Sequence, residues 1–182
     1  MENLTIGRLL LKTAFSCMAC DGDIDEREVK LIKSLSEENK IFGELDVDEE
    51  LERLLAEINF DGNKFLREYF SELSTAVLSE KDELNIVEVA IETIKADDKI
   101  EYSEVKFFKV IRSKLKISNA TILESHSDFA EYLEQDIISE SYLAKLQFGF
   151  FDSEKSPNFQ KNDILDSDLI KNIESEGDSS EL

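Results

Sequence analysis

Asp21-Gly22-Asp23-Ile24-Asp25-Glu26-Arg27-Glu28 is the stretch on which the fold turns. Asp, Gly and Asp in succession favour turn conformations over a helix interior. Asp25 then stands where a helix N-cap is wanted, and Glu28, three residues on, is the reciprocal partner of a capping box. Upstream, Leu4, Leu10, Leu11, Ala14, Phe15, Cys17 and Met18 form a wide apolar face at helical spacing that runs to Cys20. Downstream, Val29, Leu31, Ile32 and Leu35 carry the same period toward Glu37. The stretch is the corner between a largely buried helix and the helix that follows it.

A weaker copy stands 76 residues later, at Asp97-Asp98-Lys99-Ile100-Glu101-Tyr102-Ser103-Glu104. At that offset Ile24 aligns with Ile100, Asp25 with Glu101, Glu28 with Glu104, Val29 with Val105 and Ile32 with Phe108. Ser79 with Asp82 starts the helix leading in, through Leu84, Ile86, Val87, Ala90, Ile91 and Ile94 to Ala96; Val105, Phe107, Phe108, Val110, Ile111 and Leu115 form the helix leading out. A helix-turn-helix unit written twice packs most simply about a pseudo-twofold axis, which brings both acidic corners to one region of surface. Between the copies, Asp46 or Asp48 caps a helix carrying Leu51, Leu54, Leu55 and Ile58. Asp61-Gly62-Asn63 interrupts, and Phe65, Leu66, Tyr69, Phe70, Leu73, Ala76 and Val77 form the most clearly amphipathic helix. Ser118 and Ser127 cap two short segments with Ile122, Leu123, Phe129, Tyr132 and Leu133. The expected fold is all-α: a single helical domain of two pseudo-repeated helix-turn-helix units, about 7–9 helices, with an acidic C-terminal tail.

Composition agrees. The 182 residues, 41% of them hydrophobic and twelve of them Phe, suffice for one ordinary core, and six Gly with a single proline, Pro157, leave few helix breakers. A formal charge of -21 repels phosphate backbones and anionic lipid, which argues against nucleic acid and membrane surfaces as partners and toward cations and basic proteins. No stretch of about 18–20 uncharged apolar residues offers direct membrane insertion. The N-terminal residues lack the pattern of a secretory signal, so the expectation is a cytoplasmic chain with two reduced cysteines.

The character changes after Phe151, which places the domain at 1–151 and an acidic tail, partly disordered or a short docking helix, at 152–182. Ser153 to Gln160 reads as a linker. Ile164, Leu165, Leu169, Ile170 and Ile173 keep helical spacing within the tail, and Tyr142, Leu146, Phe148, Phe150 and Phe151 precede it. Phe148, Phe150, Phe151, Leu165, Leu169 and Ile173 are the candidate partner-binding residues, for a protein with a basic or apolar surface.

The run Ala19-Cys20-Asp21-Gly22-Asp23-Ile24-Asp25, the following Glu28 and the second copy Ala96-Asp97-Asp98-Lys99-Ile100 resemble the TerB (tellurite-resistance B) family over roughly residues 1–120. The resemblance implies a helical domain associated with tellurite and other chemical stress, with phage-defence gene neighbourhoods, with metal binding at the acidic turns and, in some members, with membrane-anchored J-domain proteins and hence a membrane-associated complex. This chain departs from the pattern at Lys99, where the first copy has Asp23, and at Cys20, where alanine is usual.

Hard divalent cations take several oxygens at short range, and an EF-hand loop supplies them from alternate positions with Gly sixth and Glu twelfth. With Gly22 sixth, Asp21, Asp25 and Glu28 fall on the fifth, ninth and twelfth positions, but Cys17 and Ala19 occupy the first and third, where carboxylates are needed. That is half a loop, to be completed from the second corner. The candidate metal residues are Asp21, Asp23, Asp25, Glu28, Asp97, Asp98, Glu101 and Glu104, and the candidate ion is calcium or magnesium. Helix capping explains Asp25, Glu26 and Glu28 with no ion present.

Cys17-Met18-Ala19-Cys20 has redox and zinc spacing but lies within a helix without a second pair, and reads as packing. One histidine, His126, leaves no room for a di-iron site and has no activating neighbour in sequence, so it reads as a surface or helix-end residue. The functional expectation is a non-catalytic binding or adaptor module; a metal-dependent hydrolase using the clustered carboxylates and a purely structural subunit are the alternatives.

Overall fold

The structure, a computed structural model, describes residues 2–96, 99–133 and 157–164. Among them are eight α-helices and no strand: α1 (Glu2–Ala19), α2 (Glu26–Asn39), α3 (Val47–Phe60), α4 (Gly62–Thr75), α5 (Glu80–Ile94), α6 (Tyr102–Lys114), α7 (Asn119–Ser125) and α8 (Ala130–Leu133). Single 3₁₀ turns occur at Ser127–Phe129 and Lys161–Asp163.

α1 is the hub. Its Leu10, Leu11, Ala14, Phe15, Cys17, Met18 and Ala19 are no more than 1% exposed, as expected of a helix apolar on nearly every side. It packs most extensively on α5, and the outgoing helices cross over, α2 against α5 and α6 against α1. That exchange is what a twofold relation between the two helix-turn-helix units requires, and α2 and α6 begin 76 residues apart, at Glu26 and Tyr102.

α4 breaks the symmetry. It fills the groove between α1 and α6, setting Phe65 edge-on to Phe15 at 5.9 Å and Tyr69 and Phe70 against Phe107 at 6.2 and 5.1 Å between ring centroids. The Tyr69 hydroxyl donates to Thr13 Oγ1 (3.0 Å), which donates to the Leu9 carbonyl (2.8 Å), so the polar end of this buried ring is satisfied.

Local sequence sets the boundaries. Asp25, Asp46, Ser79 and Ser118 cap the helices expected of them, and Asp46 is the cap of α3. The interruption at Asp61-Gly62-Asn63 is a single residue: Asp61 ends α3 and its side chain caps α4 through Lys64 N. α4 stops at Thr75, earlier than the apolar pattern suggested, and Val77 stands in solvent. Ser127 begins a 3₁₀ turn rather than capping a helix; the cap position belongs to His126, without a side-chain bond. In the loop after α2, Lys40 adopts the left-handed conformation (φ 47°) and Phe42 is 1% exposed. Phe42 rests on Gly7, where a Cβ would lie 2.2 Å from the Phe42 carbonyl oxygen.

Part of the expected linker belongs to the packed body. Phe159 and Ile164 are buried, and Asn59 clamps Phe159 from both sides of its peptide, donating to its carbonyl and accepting from its N–H at 2.8 Å each. Lys161 reaches Glu52 of α3 (2.8 Å). Phe148, Phe150, Phe151, Leu165, Leu169 and Ile173 lie outside the described residues. No helix among the described residues is long and apolar enough to cross a membrane.

Candidate functional site: the paired acidic corners

The first corner is built by its own side chains. Gly22 takes φ 95°, a conformation that a side chain would strain, and its N–H bonds to the Ala19 carbonyl (3.1 Å) to close the end of α1. Asp21 Oδ1 accepts from the Asp23 N–H (2.9 Å) and Asp23 Oδ1 from the Ile24 N–H (3.0 Å), holding the turn. Asp25 Oδ1 accepts from the Arg27 N–H (2.8 Å) and from Arg27 Nε (2.9 Å), and Glu28 Oε2 reaches back to the Asp25 N–H (2.9 Å). The capping box is therefore formed.

The second corner repeats the part that matters for the helix start. Glu104 Oε2 accepts from the Glu101 N–H at 2.7 Å, while Lys99 forms an ion pair with Glu101. Glu28 and Glu104 are 5% and 6% exposed, an unusual state for glutamate that the inward cap explains.

The two corners feel each other. Protein packed about its carboxyl raises Asp21 above the usual carboxylate range although the residue still reaches solvent; bonds from backbone amides oppose this, and the charges of Asp23 and of Glu101 in the other corner add to it. Asp25 is lowered instead, chiefly by its bonds from the Arg27 side chain and backbone. Burial pushes Cys17 well above the ordinary thiol range, and Glu104 and Glu28 add to the effect. Cys20 is raised by burial, then by Cys17, Asp21, Glu104 and Glu28. One glutamate from each corner thus bears on the C-terminal end of α1. Thiols so buried and surrounded by negative charge stay protonated, the opposite of what thiolate chemistry or zinc binding needs.

Chemically, the arrangement concentrates negative charge more than it assembles a chelate. Glu28 and Glu104 are turned inward as caps, Asp25 is held by Arg27 and Glu101 meets Lys99. Among the described residues, no group of three or more His, Cys, Asp or Glu side chains converges as a metal ion would require. Asp97 and Asp98 lie outside the described residues.

Sequence reading missed a second feature, a groove of about 640 Å³ between α2 and α5 lined by Arg27, Lys30, Lys95 and His126 among others. These four residues are separated by up to 99 positions and share no motif, so only their proximity reveals them. His126 ends α7, as a helix-end residue was expected to do, but its Nε2 is buried, makes no hydrogen bond and lies 4.0 Å from Glu88 Oε1. No family model, curated protein or solved structure matches the chain.

Proposed function

We propose that this chain is a TerB-like, non-catalytic binding module whose two acidic corners act together on a positively charged visitor, within a stress-response complex of the tellurite-resistance or phage-defence type. The observation that carries the reading is that carboxylates of both corners lie at one end of α1: Glu28 and Glu104 both add to the burial that raises Cys17 and Cys20, and Glu101 adds a small share, after burial and Asp23, to the rise of Asp21. Like charges held together favour whatever neutralises them. Because most of the described carboxylates already serve as caps or ion-pair partners, the first choice of visitor is a basic protein surface, which needs net charge and not a coordination shell. Calcium or magnesium at the same corner is the alternative.

Calorimetric titration of the full chain with calcium, magnesium, manganese and a lysine-rich peptide tests this, with an Asp21→Asn/Glu101→Gln variant alongside. The expected result is saturable, salt-sensitive binding of the peptide that weakens in the variant. Saturation by a metal ion, lost in the variant, selects the cation instead. Silence with all four probes, or binding indifferent to the substitutions, refutes the proposal.

A further inference from the structure

The two halves of the molecule differ in one respect that bears on a partner. In one half, α4 fills the groove between α1 and α6, where Phe15 and Phe107 are fully buried. At the 76-residue offset their counterparts are Ile91 and Leu31, and these line the open groove between α5 and α2. Ala19, buried at the end of α1, corresponds to Lys95, and Ser103 to Arg27. The second groove thus has an apolar floor like its twin, but its rim carries Arg27, Lys30 and Lys95, all exposed. Each of these bases has an acidic neighbour, Asp25, Glu26 and Asp128 respectively, and Glu92 also lines the groove. In a chain of net charge -21, three bases and the only histidine gather around one apolar depression, where with their acidic neighbours they bring the local charge close to balance.

We infer that the groove between α2 and α5 receives this chain's own C-terminal segment, residues 165–182, seated by apolar contacts on Leu31 and Ile91 and by its carboxylates on Arg27, Lys30 and Lys95. The segment has the matching chemistry in its sequence: Leu165, Leu169, Ile170 and Ile173 at helical spacing, with six acidic residues and one lysine among its eighteen positions. The last described residues also point it that way. Phe159 is held at Asn59 near the end of α3 and Lys161 at Glu52, so residues 159–161 run along α3 in the direction of its N-terminal end, where Asp48 pairs with Lys33 of α2. Eighteen residues span about 27 Å as a helix and more if extended, enough to cover α2 from there.

His126 is the sole histidine and lines the groove, so its imidazole signals in NMR report on that place alone. The full chain is compared with a chain ending at Ile164, the last of the described residues and a buried one. Truncation is expected to move the His126 signals, and a synthetic peptide of residues 165–182 to return them saturably. The peptide should bind several-fold more weakly in 1 M than in 0.1 M salt, as the Debye length falls from about 10 Å to about 3 Å. Lys30→Glu/Lys95→Glu, and separately Leu169→Glu/Ile173→Glu, should give the full chain the signals of the truncated one; Lys30 and Lys95 are exposed, so the fold is kept in the first variant, and circular dichroism checks it in the second. Identical His126 signals in the full and truncated chains overturn the inference and leave the groove to another molecule. A shift on truncation that neither double variant reproduces and the peptide does not reverse overturns it as well.

Discussion

Removing the buried cap glutamates tests how much of the acidic corner is structural. Glu28→Ala takes the acceptor from the Asp25 N–H, and Glu104→Ala takes it from the Glu101 N–H. With the parent carboxylates 5% and 6% exposed, water replaces them poorly. An amide left without an acceptor costs about 1–3 kcal/mol, and losing a negative charge at a helix N-terminus costs about 0.3–1 kcal/mol more. Relief of repulsion around the end of α1 offsets part of this, so each variant should lose about 2 kcal/mol. In a protein of this size that is a fall in Tm of about 4–8 °C by circular dichroism or calorimetry. Gln keeps the accepting oxygen, so Glu28→Gln and Glu104→Gln should cost less than half as much. Glu28 and Glu104 lie near the same cysteines, and the repulsion between them is relieved in each single variant but only once in the double, so the double Ala variant should exceed the sum of the singles by about 0.5 kcal/mol. Either Ala variant melting within about 1 °C of the parent, or Gln proving as costly as Ala, refutes the capping account.

Three further outcomes follow from particular contacts. Gly7→Ala should destabilise even though alanine is favoured in a helix by about 1 kcal/mol, because the new Cβ meets the Phe42 backbone at 2.2 Å and overpacking costs about 1–3 kcal/mol or more; a raised Tm contradicts it. Asn59→Ala removes two hydrogen bonds to Phe159, about 1 kcal/mol each, and should speed amide hydrogen exchange in residues 157–164 while that of α1 is unchanged; unchanged protection contradicts the clamp. Asp21 and Asp25 should respond to pH with opposite sign. Asp21 is raised, so ionisation costs stability above its folded pKa, and Asp21→Asn should raise Tm at pH 7 with the gain vanishing on acidification. Asp25 is lowered, so its contribution exists above the unfolded carboxylate range and is lost as pH falls through the folded value; Asp25→Asn should lower Tm at pH 7 and by progressively less as pH falls below the usual carboxylate range. Both residues are open to solvent, so each effect stays within about 1 kcal/mol, and differences that do not change with pH rule out the assignment.

The sequence by itself determined the helices, their caps and the repeat. Those features depend on residues within a few positions of one another, which is why Asp25 with Glu28, Ser79 with Asp82 and the 76-residue offset were all legible. It placed the carboxylates at the corners but not their roles, because whether Glu28 faces solvent or its own helix start depends on what packs around it. Tertiary structure decided that α4 fills one of two related grooves and leaves the other open, that Phe42 sits on Gly7, and that Asn59 holds Phe159 across 100 residues of chain. Such pairings obey shape and charge across distant segments, and no local pattern of residue types carries that information.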